Sequence, residues 1–164
     1  MGGRGGSHTF KSRKEKAKEV LASRDKPEKR NVFISFAHED VQQVNLLRGQ
    51  AKNENSHIEF NDWSLSEPFD SERAEDIKAG IRERINPSSV TLVYVSENTP
   101  ASKWVDWEVC ESARLGKGVV AVYSGSVPPD LPQALKELGV SPIPWTQAGL
   151  AKAIEDASSK GTPR

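Results

Sequence analysis

Cysteine is almost missing from this chain. Cys110 stands alone among 164 residues, so no internal disulfide can form and the fold must be held by its core. That usage fits a reducing compartment, and the cytoplasm is the expected location. Long apolar runs are missing too. None approaches the roughly 18 residues that would span a membrane, and residues 1–6 hold no apolar signal segment, so no membrane partner is expected. No glycine-rich loop follows the first apolar run, which argues against flavin binding of the flavodoxin kind. His8, His38, His57 and Cys110 lack the spacing of metal ligands, so no metal site is expected.

Net charge is also absent, but only in sum. Residues 1–30 carry ten Lys/Arg against four acids, a local charge of +6 that the remainder cancels. Such an arm can contact nucleic acid or anionic surfaces, or it can simply be solvated. Its one aromatic, Phe10, gives little for bases to stack on and favours the solvated arm, so a nucleic-acid partner is not expected. Lys11 to Ser23 is rich in good helix formers, and Pro27 breaks whatever helix forms there. Deleting the arm should leave folding intact.

Past residue 30, strand-like and helix-like segments alternate. Residues 31–36 (NVFISF), 57–60 (HIEF), 89–95 (SVTLVYV) and 118–123 (GVVAVY) are short runs rich in apolar, β-branched and aromatic residues. Residues 39–52 carry Val41, Val44, Leu46 and Leu47 at helical spacing. Residues 74–85 carry Ile77, Ile81 and Ile85, and end at Asn86-Pro87. Residues 102–115 read as a helix stopped by Gly116, and 131–138 as a short one stopped by Gly139. Residues 142–145 (PIPW) fit only an edge strand, because proline supplies no ladder donor. Thr146 can cap a last helix to about Asp156. Five βα units with continuously apolar strands predict an α/β fold: a doubly wound, flavodoxin-like, five-stranded parallel sheet covered on both faces. The expected division is a basic arm over 1–30, one domain over 31–158 and a tail over 159–164.

In that architecture ligands bind beyond the carboxyl ends of strands one and three. Three stretches meet there: Ser35-Phe36-Ala37-His38, Asn61-Asp62-Trp63-Ser64-Leu65, and Ser96 to Pro100 with the helix that follows. On that helix Val105, Val109 and Ala113 make an apolar stripe suited to the sheet. Trp104, Trp107, Glu108 and Glu111 share another face. Two indoles beside a carboxylate can line a cleft, or they can cover a helix seam beside a surface charge; spacing leaves both open. Glu39-Asp40 reads as an acidic helix start. A phospho-receiver is disfavoured, because strand three runs into Val95-Ser96 with no aspartate. His38 fits either a ligand contact or a strand-end role, and Cys110 reads as a packed thiol on the side opposite Glu108.

Phe33-Ile34-Ser35-Phe36-Ala37-His38, Asp62-Trp63-Ser64-Leu65, the strand over 89–95 and Lys103-Trp104-Val105-Asp106-Trp107-Glu108 occur in an order and spacing that resemble the TIR-like domain family of bacterial anti-phage defence, especially the Thoeris type. The similarity covers residues 31–123 and extends more weakly to about 158. The resemblance implies cleavage of NAD at the nicotinamide–ribose bond, with NAD as substrate and no cofactor. It implies Glu108 as the catalytic residue, Trp104 lining the site with Trp107 beside it, and Phe36, Ala37, Asp62, Trp63 and Ser64 bordering the NAD cleft. It further implies an ADP-ribose-derived product read by a separate effector protein, and it leaves self-association open. The loop after strand two lacks the proline-centred pattern of plant and animal TIR domains, and Trp107 stands where relatives commonly have tyrosine. The alternative within the same resemblance is a non-catalytic module that assembles partners.

One carboxylate suits that reaction. Ordinary glycosidases need a second carboxyl group to protonate a poor leaving group. Nicotinamide departs from a cationic pyridinium as a neutral molecule, so a single glutamate that stabilises the ribosyl cation suffices, and flanking indoles can stack on the pyridinium or adenine. These readings place Glu108 in an open cleft near Phe36 and Trp104.

Overall fold

The computed structural model describes residues 12–18, 30–54, 58–62 and 68–160. Most of the basic arm therefore lies outside the described residues. Within it, residues 13–18 are helical. Ser12 Oγ accepts from the Glu15 amide at 3.2 Å, and the Glu15 carboxylate accepts from the Ser12 amide at 3.1 Å. That reciprocal pair satisfies two of the amides a helix start leaves over.

Five strands, β1 (Arg30–Ser35), β2 (Ile58–Asp62), β3 (Val90–Tyr94), β4 (Gly118–Tyr123) and β5 (Ile143–Pro144), form one sheet in the order β2-β1-β3-β4-β5. Every pairing is parallel, with Val32 opposite Phe60 and Val90, and Leu92 opposite Val120. This is the doubly wound, flavodoxin-like order, and its reversal point falls between β1 and β3. The helices are α1 (Val41–Glu54), α2 (Ala74–Ile85), α3 (Lys103–Arg114), α4 (Gln133–Leu138) and α5 (Gln147–Lys160). Among the described residues no helix is long and apolar enough to cross a membrane.

Side chains alternate across a strand, so each run feeds two layers. Val32, Ile34, Val90, Leu92, Val120 and Val122 pack with Val44 and Leu47 of α1 and Leu150 and Ile154 of α5. Phe33, Val93, Val119 and Ala121 face the opposite way, toward α2, α3 and α4. Leu46, expected on the inner face of α1, is 58% exposed; Val44 and Leu47 carry that contact.

Helix ends follow local chemistry. Thr146 Oγ1 accepts from the Gly149 amide at 3.1 Å and caps α5, which runs on to Lys160, beyond the expected stop at Asp156. Asp106 of α3 caps α4 from outside, accepting from the Ala134 amide at 2.8 Å. α4 ends at Gly139, whose φ of 69° lies in the left-handed region where a side chain is disfavoured. Gly118 is needed for a different reason: a Cβ there would come within 2.9 Å of the Ala157 Cβ, so a bare backbone lets α5 lie close on β4.

Candidate functional site

α3 starts at the carboxyl edge of the sheet because Ser102 caps it, its Oγ accepting from the Val105 amide at 3.3 Å. Glu108 follows less than two turns later. It is only 4% exposed. Across from it stands Ser35, the last residue of β1 and fully buried, on the same sheet face as Phe33. Burial pushes the Glu108 carboxyl up to about 8, and the Ser35 hydroxyl pulls the other way without offsetting it. At neutral pH the side chain is therefore held as the neutral acid. Ser35 Oγ makes no hydrogen bond of ordinary geometry, so it acts on Glu108 as a close neighbour, short of a formed bond.

This differs from an open cleft, and the cause is the width of the buried arc on α3. The helix packs on β3 and β4 through Val105 and Val109, but it also leans sideways on α2 and β1. Its buried residues are Trp104, Val105, Glu108, Val109, Glu111 and Ser112, while Ala113 of the expected stripe is only half-buried. Trp104 packs in a cluster with Phe33, Ile77, Ile81 and Ile85, and stands edge-on to Phe69 with ring centroids 4.8 Å apart. It is a core residue here. Trp107 is half-buried at the border of that cluster, its centroid 6.2 Å from that of Trp104. Lys78 Nζ and Arg82 Cζ lie over its ring at 5.6 and 5.3 Å.

Glu111 shows what a buried carboxylate looks like when it is structurally paired. Arg82 Nε donates to it at 2.9 Å and Arg114 Nε at 3.0 Å. These guanidinium groups, Arg114 first, hold its carboxyl below the usual range against the opposing push of burial. Glu108 has no such cation; none of the ion pairs among the described residues includes it. One helix thus buries two glutamates one turn apart, one ionised in an ion-pair network and one neutral with no cation beside it.

At the β1/β3 reversal point the structure adds residues that the sequence reading missed. Asp40, 9% exposed, was read as part of an acidic helix start, but its side chain caps nothing. It accepts from Ser96 Oγ at 2.5 Å and from Asn98 Nδ2 at 3.0 Å, tying the loop after β1 to the loop after β3. Thr99 Oγ1 knits the second loop internally, accepting from the Ser96 amide at 2.7 Å and donating to the Tyr94 carbonyl at 3.2 Å. Once β1 and β3 are neighbours, polar residues a few positions past their ends must meet; that was the available signal. A cleft of about 410 Å³ opens there, lined by Asp40, Tyr94, Ser96, Asn98, Ser124 and Pro128. A second, of about 400 Å³, lies outside α3 against Phe69, Lys103, Trp107 and Cys110. Glu108 lines neither of these two.

The structure thus brings Ser35, Trp104 and Glu108 into one layer. Phe36 is buried on the other side, in the layer of α1 and α5, and Ala37 is fully buried. Asp62 ends β2; Trp63 and Ser64 lie outside the described residues. His38 is exposed in the 3-10 turn before α1. Cys110, expected as a packed thiol, is exposed, because α3 turns that side to solvent. Its thiol is pushed up, first by partial burial and then by Asp106, Glu137 and Glu111, which keeps it protonated. No group of three or more potential metal ligands occurs among the described residues.

The family model described as "Thoeris protein ThsB, TIR-like domain" matches residues 33–128, more than half of the chain. No curated protein matches. Among solved structures, the TIR domains of the activated Roq1 resistosome directly recognizing the pathogen effector XopQ are similar at 24% identity and a TM-score of 0.42, over 58% of this chain and 57% of that one. The chain thus spans a little over half the length of that relative. The Clostridium botulinum CMP N-glycosidase BcmB is similar at 12% identity and a TM-score of 0.47, over 76% of this chain and 98% of that one.

Proposed function

The chain belongs to the Thoeris protein ThsB TIR-like domain family, and we propose that it cleaves NAD at the nicotinamide–ribose bond, with Glu108 as the catalytic carboxylate. The ADP-ribose-derived product would serve as a signal to a separate effector protein in anti-phage defence. The observation that carries this reading is the Glu108 carboxyl itself, buried beside Ser35 with no cation to compensate it. A buried ionisable group without an ion partner is costly to stability, and groups perturbed in this way cluster at functional sites. In a dry gap a carboxylate also acts on a nearby positive charge far more strongly than in water.

The protonation state joins the parts. Glu108 lines neither cleft, so for NAD to reach it the cover over it must open; a cationic pyridinium beside it then favours the ionised form, and the glutamate proton is released to solvent as substrate enters. The carboxylate formed then faces the ribosyl cation as neutral nicotinamide departs, and water or a nucleophile of the same nucleotide captures the cation to complete the reaction.

A second reading rests on the same burial. Glu108 is 4% exposed and Trp104 packs in the core, which suits a module that presents a rigid surface to partners and performs no chemistry. Nicotinamide release from NAD separates the two. The parent protein should release it, and Glu108→Gln should lower the rate by a factor of about 10² or more, the scale of losing a key electrostatic group. Release by Glu108→Gln at the parent rate would remove Glu108 from the mechanism. No release by the parent, even with cells under phage challenge as the source, would favour the assembly module.

A further inference from the structure

We propose that Ser35 is the positioning residue for Glu108: its hydroxyl closes onto the ionised carboxylate and holds it toward the reacting centre. This rests on the NAD-cleaving reading for its consequence, but its physical content is separate. Three hydroxyls line the gap between the sheet and α3. Thr91 Oγ1 and Ser112 Oγ satisfy each other at 2.7 Å, and Ser112 Oγ also donates to the Glu108 carbonyl at 2.7 Å. Those two are accounted for by fixing α3 on β3. Ser35 Oγ is buried and has no partner of ordinary geometry. Native interiors rarely leave such a group unsatisfied, and each case calls for a reason.

The reason offered by the geometry is a bond that forms only in one state. A serine hydroxyl can donate to a carboxylate or accept from a carboxylic acid. In the structure the Ser35 hydroxyl stands close to the Glu108 carboxyl without a bond of ordinary geometry. When Glu108 loses its proton, the same hydroxyl becomes a charge-assisted donor, the stronger and shorter kind. The charged groups on the elements packed around this gap are engaged elsewhere. On α2, Arg82 donates to Glu111 and Lys78 pairs with Glu75. On α3, Arg114 holds Glu111, and Asp106 caps α4. The facing residues of β1, β3 and β4 are Phe33, Thr91, Val93, Val119 and Ala121, none of them ionisable. On α4, the acidic Glu137 acts on Cys110. Ser35 is thus the polar group placed to meet Glu108 when its charge appears.

The test is the protonation of Glu108 followed by the carbonyl band of its neutral carboxyl in difference infrared spectra of the full chain. The band is assigned by its loss in Glu108→Gln. In Ser35→Ala the pH at which the band disappears should move upward by about one unit, a tenfold shift. In Ser35→Cys, which keeps the volume but donates weakly, it should move up by less; this variant decides the matter if Ser35→Ala does not fold. A midpoint that stays at the parent value in a folded variant overturns the proposal. The NAD assay speaks to the other reading alone. Where the parent cleaves NAD, Ser35→Ala should lower kcat, leave KM near its parent value and shift the acid limb of the pH–rate profile upward. A parent without NAD cleavage but with a shifted band would sink the catalytic reading and leave the contact between Ser35 and Glu108 standing.

Discussion

Replacing Glu108 by glutamine should make the protein more stable, by an amount that depends on pH in a predictable way. Burial pushes the carboxyl up to about 8 in the folded chain, from an ordinary 4.5 in the unfolded one. Below 4.5 both folded and unfolded chains carry the proton, so the group creates no difference. Between 4.5 and 8 the unfolded chain releases the proton and the folded chain keeps it, so stability falls as pH rises, by about 1.4 kcal/mol per pH unit. At pH 7 the accumulated cost is about 3 kcal/mol, and it levels off once pH exceeds the folded value. Glutamine has no proton to release and escapes this loss. Its amide carries a desolvation cost of its own, but that cost does not vary with pH, so the slope is diagnostic where the offset is not. Urea denaturation of parent and Glu108→Gln from pH 4 to pH 9 measures it, provided each transition is two-state. The gap should open with rising pH in favour of the variant. A gap independent of pH, or one that favours the parent increasingly as pH rises, would refute the burial argument. A more stable protein that has lost its activity would be the usual trade at a functional site.

Trp104→Ala should destabilise by about 3–5 kcal/mol, as large aromatic truncations in cores do; a melting temperature close to the parent's would return this indole to a ligand role. Gly118→Ala should cost about 1–3 kcal/mol by pushing α5 off β4, read as a lower urea midpoint, and an unchanged midpoint would contradict the close approach to Ala157. Glu111→Gln should lower stability at pH 7 by removing the carboxylate its arginine partners hold, read as a lower urea midpoint. Because those partners hold the Glu111 carboxyl low, the stabilisation is present above the ordinary carboxylate range and is lost as pH falls below it. The gap from the parent should therefore shrink in acid, and a gap that persists there would argue against the ion-pair account.

Much of the fold was legible because hydrophobic period and punctuation agree. Ile77, Ile81 and Ile85 mark α2 over the span that forms, and Pro87 follows its end. The four longer strands fall where the β-branched runs place them, and the prolines of 142–145 push β5 to the edge. The site was less legible, and α3 shows why. A stripe of Val105, Val109 and Ala113 assumes a helix lying on a sheet with water on its other sides. Here α2 flanks it, and the residues packed around Trp104 come from positions 33, 77, 81 and 85. No pattern within the helix encodes such contacts. Glu108 and Glu111 look alike on a helical wheel; Arg114, three residues after Glu111 on the same helix, is a local signal that sets Glu111 apart, and Arg82, from 29 positions away, completes its pairing. Asp40 was misread for a related reason: its partners lie more than fifty residues further along the chain.

The sheet's last strand bears on how copies of this chain could assemble. β5 is two residues long, and its second residue is Pro144, which has no amide hydrogen. Its inner side is already paired to β4, with Val122 opposite Ile143 and Tyr123 opposite Pro144. An incoming strand would find almost no ladder to extend, and the flat continuation that drives open-ended fibre growth is blunted at this margin. Any ordered polymer would have to be stitched through helices and loops, or start from the opposite margin, where β2 runs five residues from Ile58 to Asp62. The two flanks of the sheet are therefore unequal, which gives the domain a polarity for association that its near-symmetric layering would not suggest.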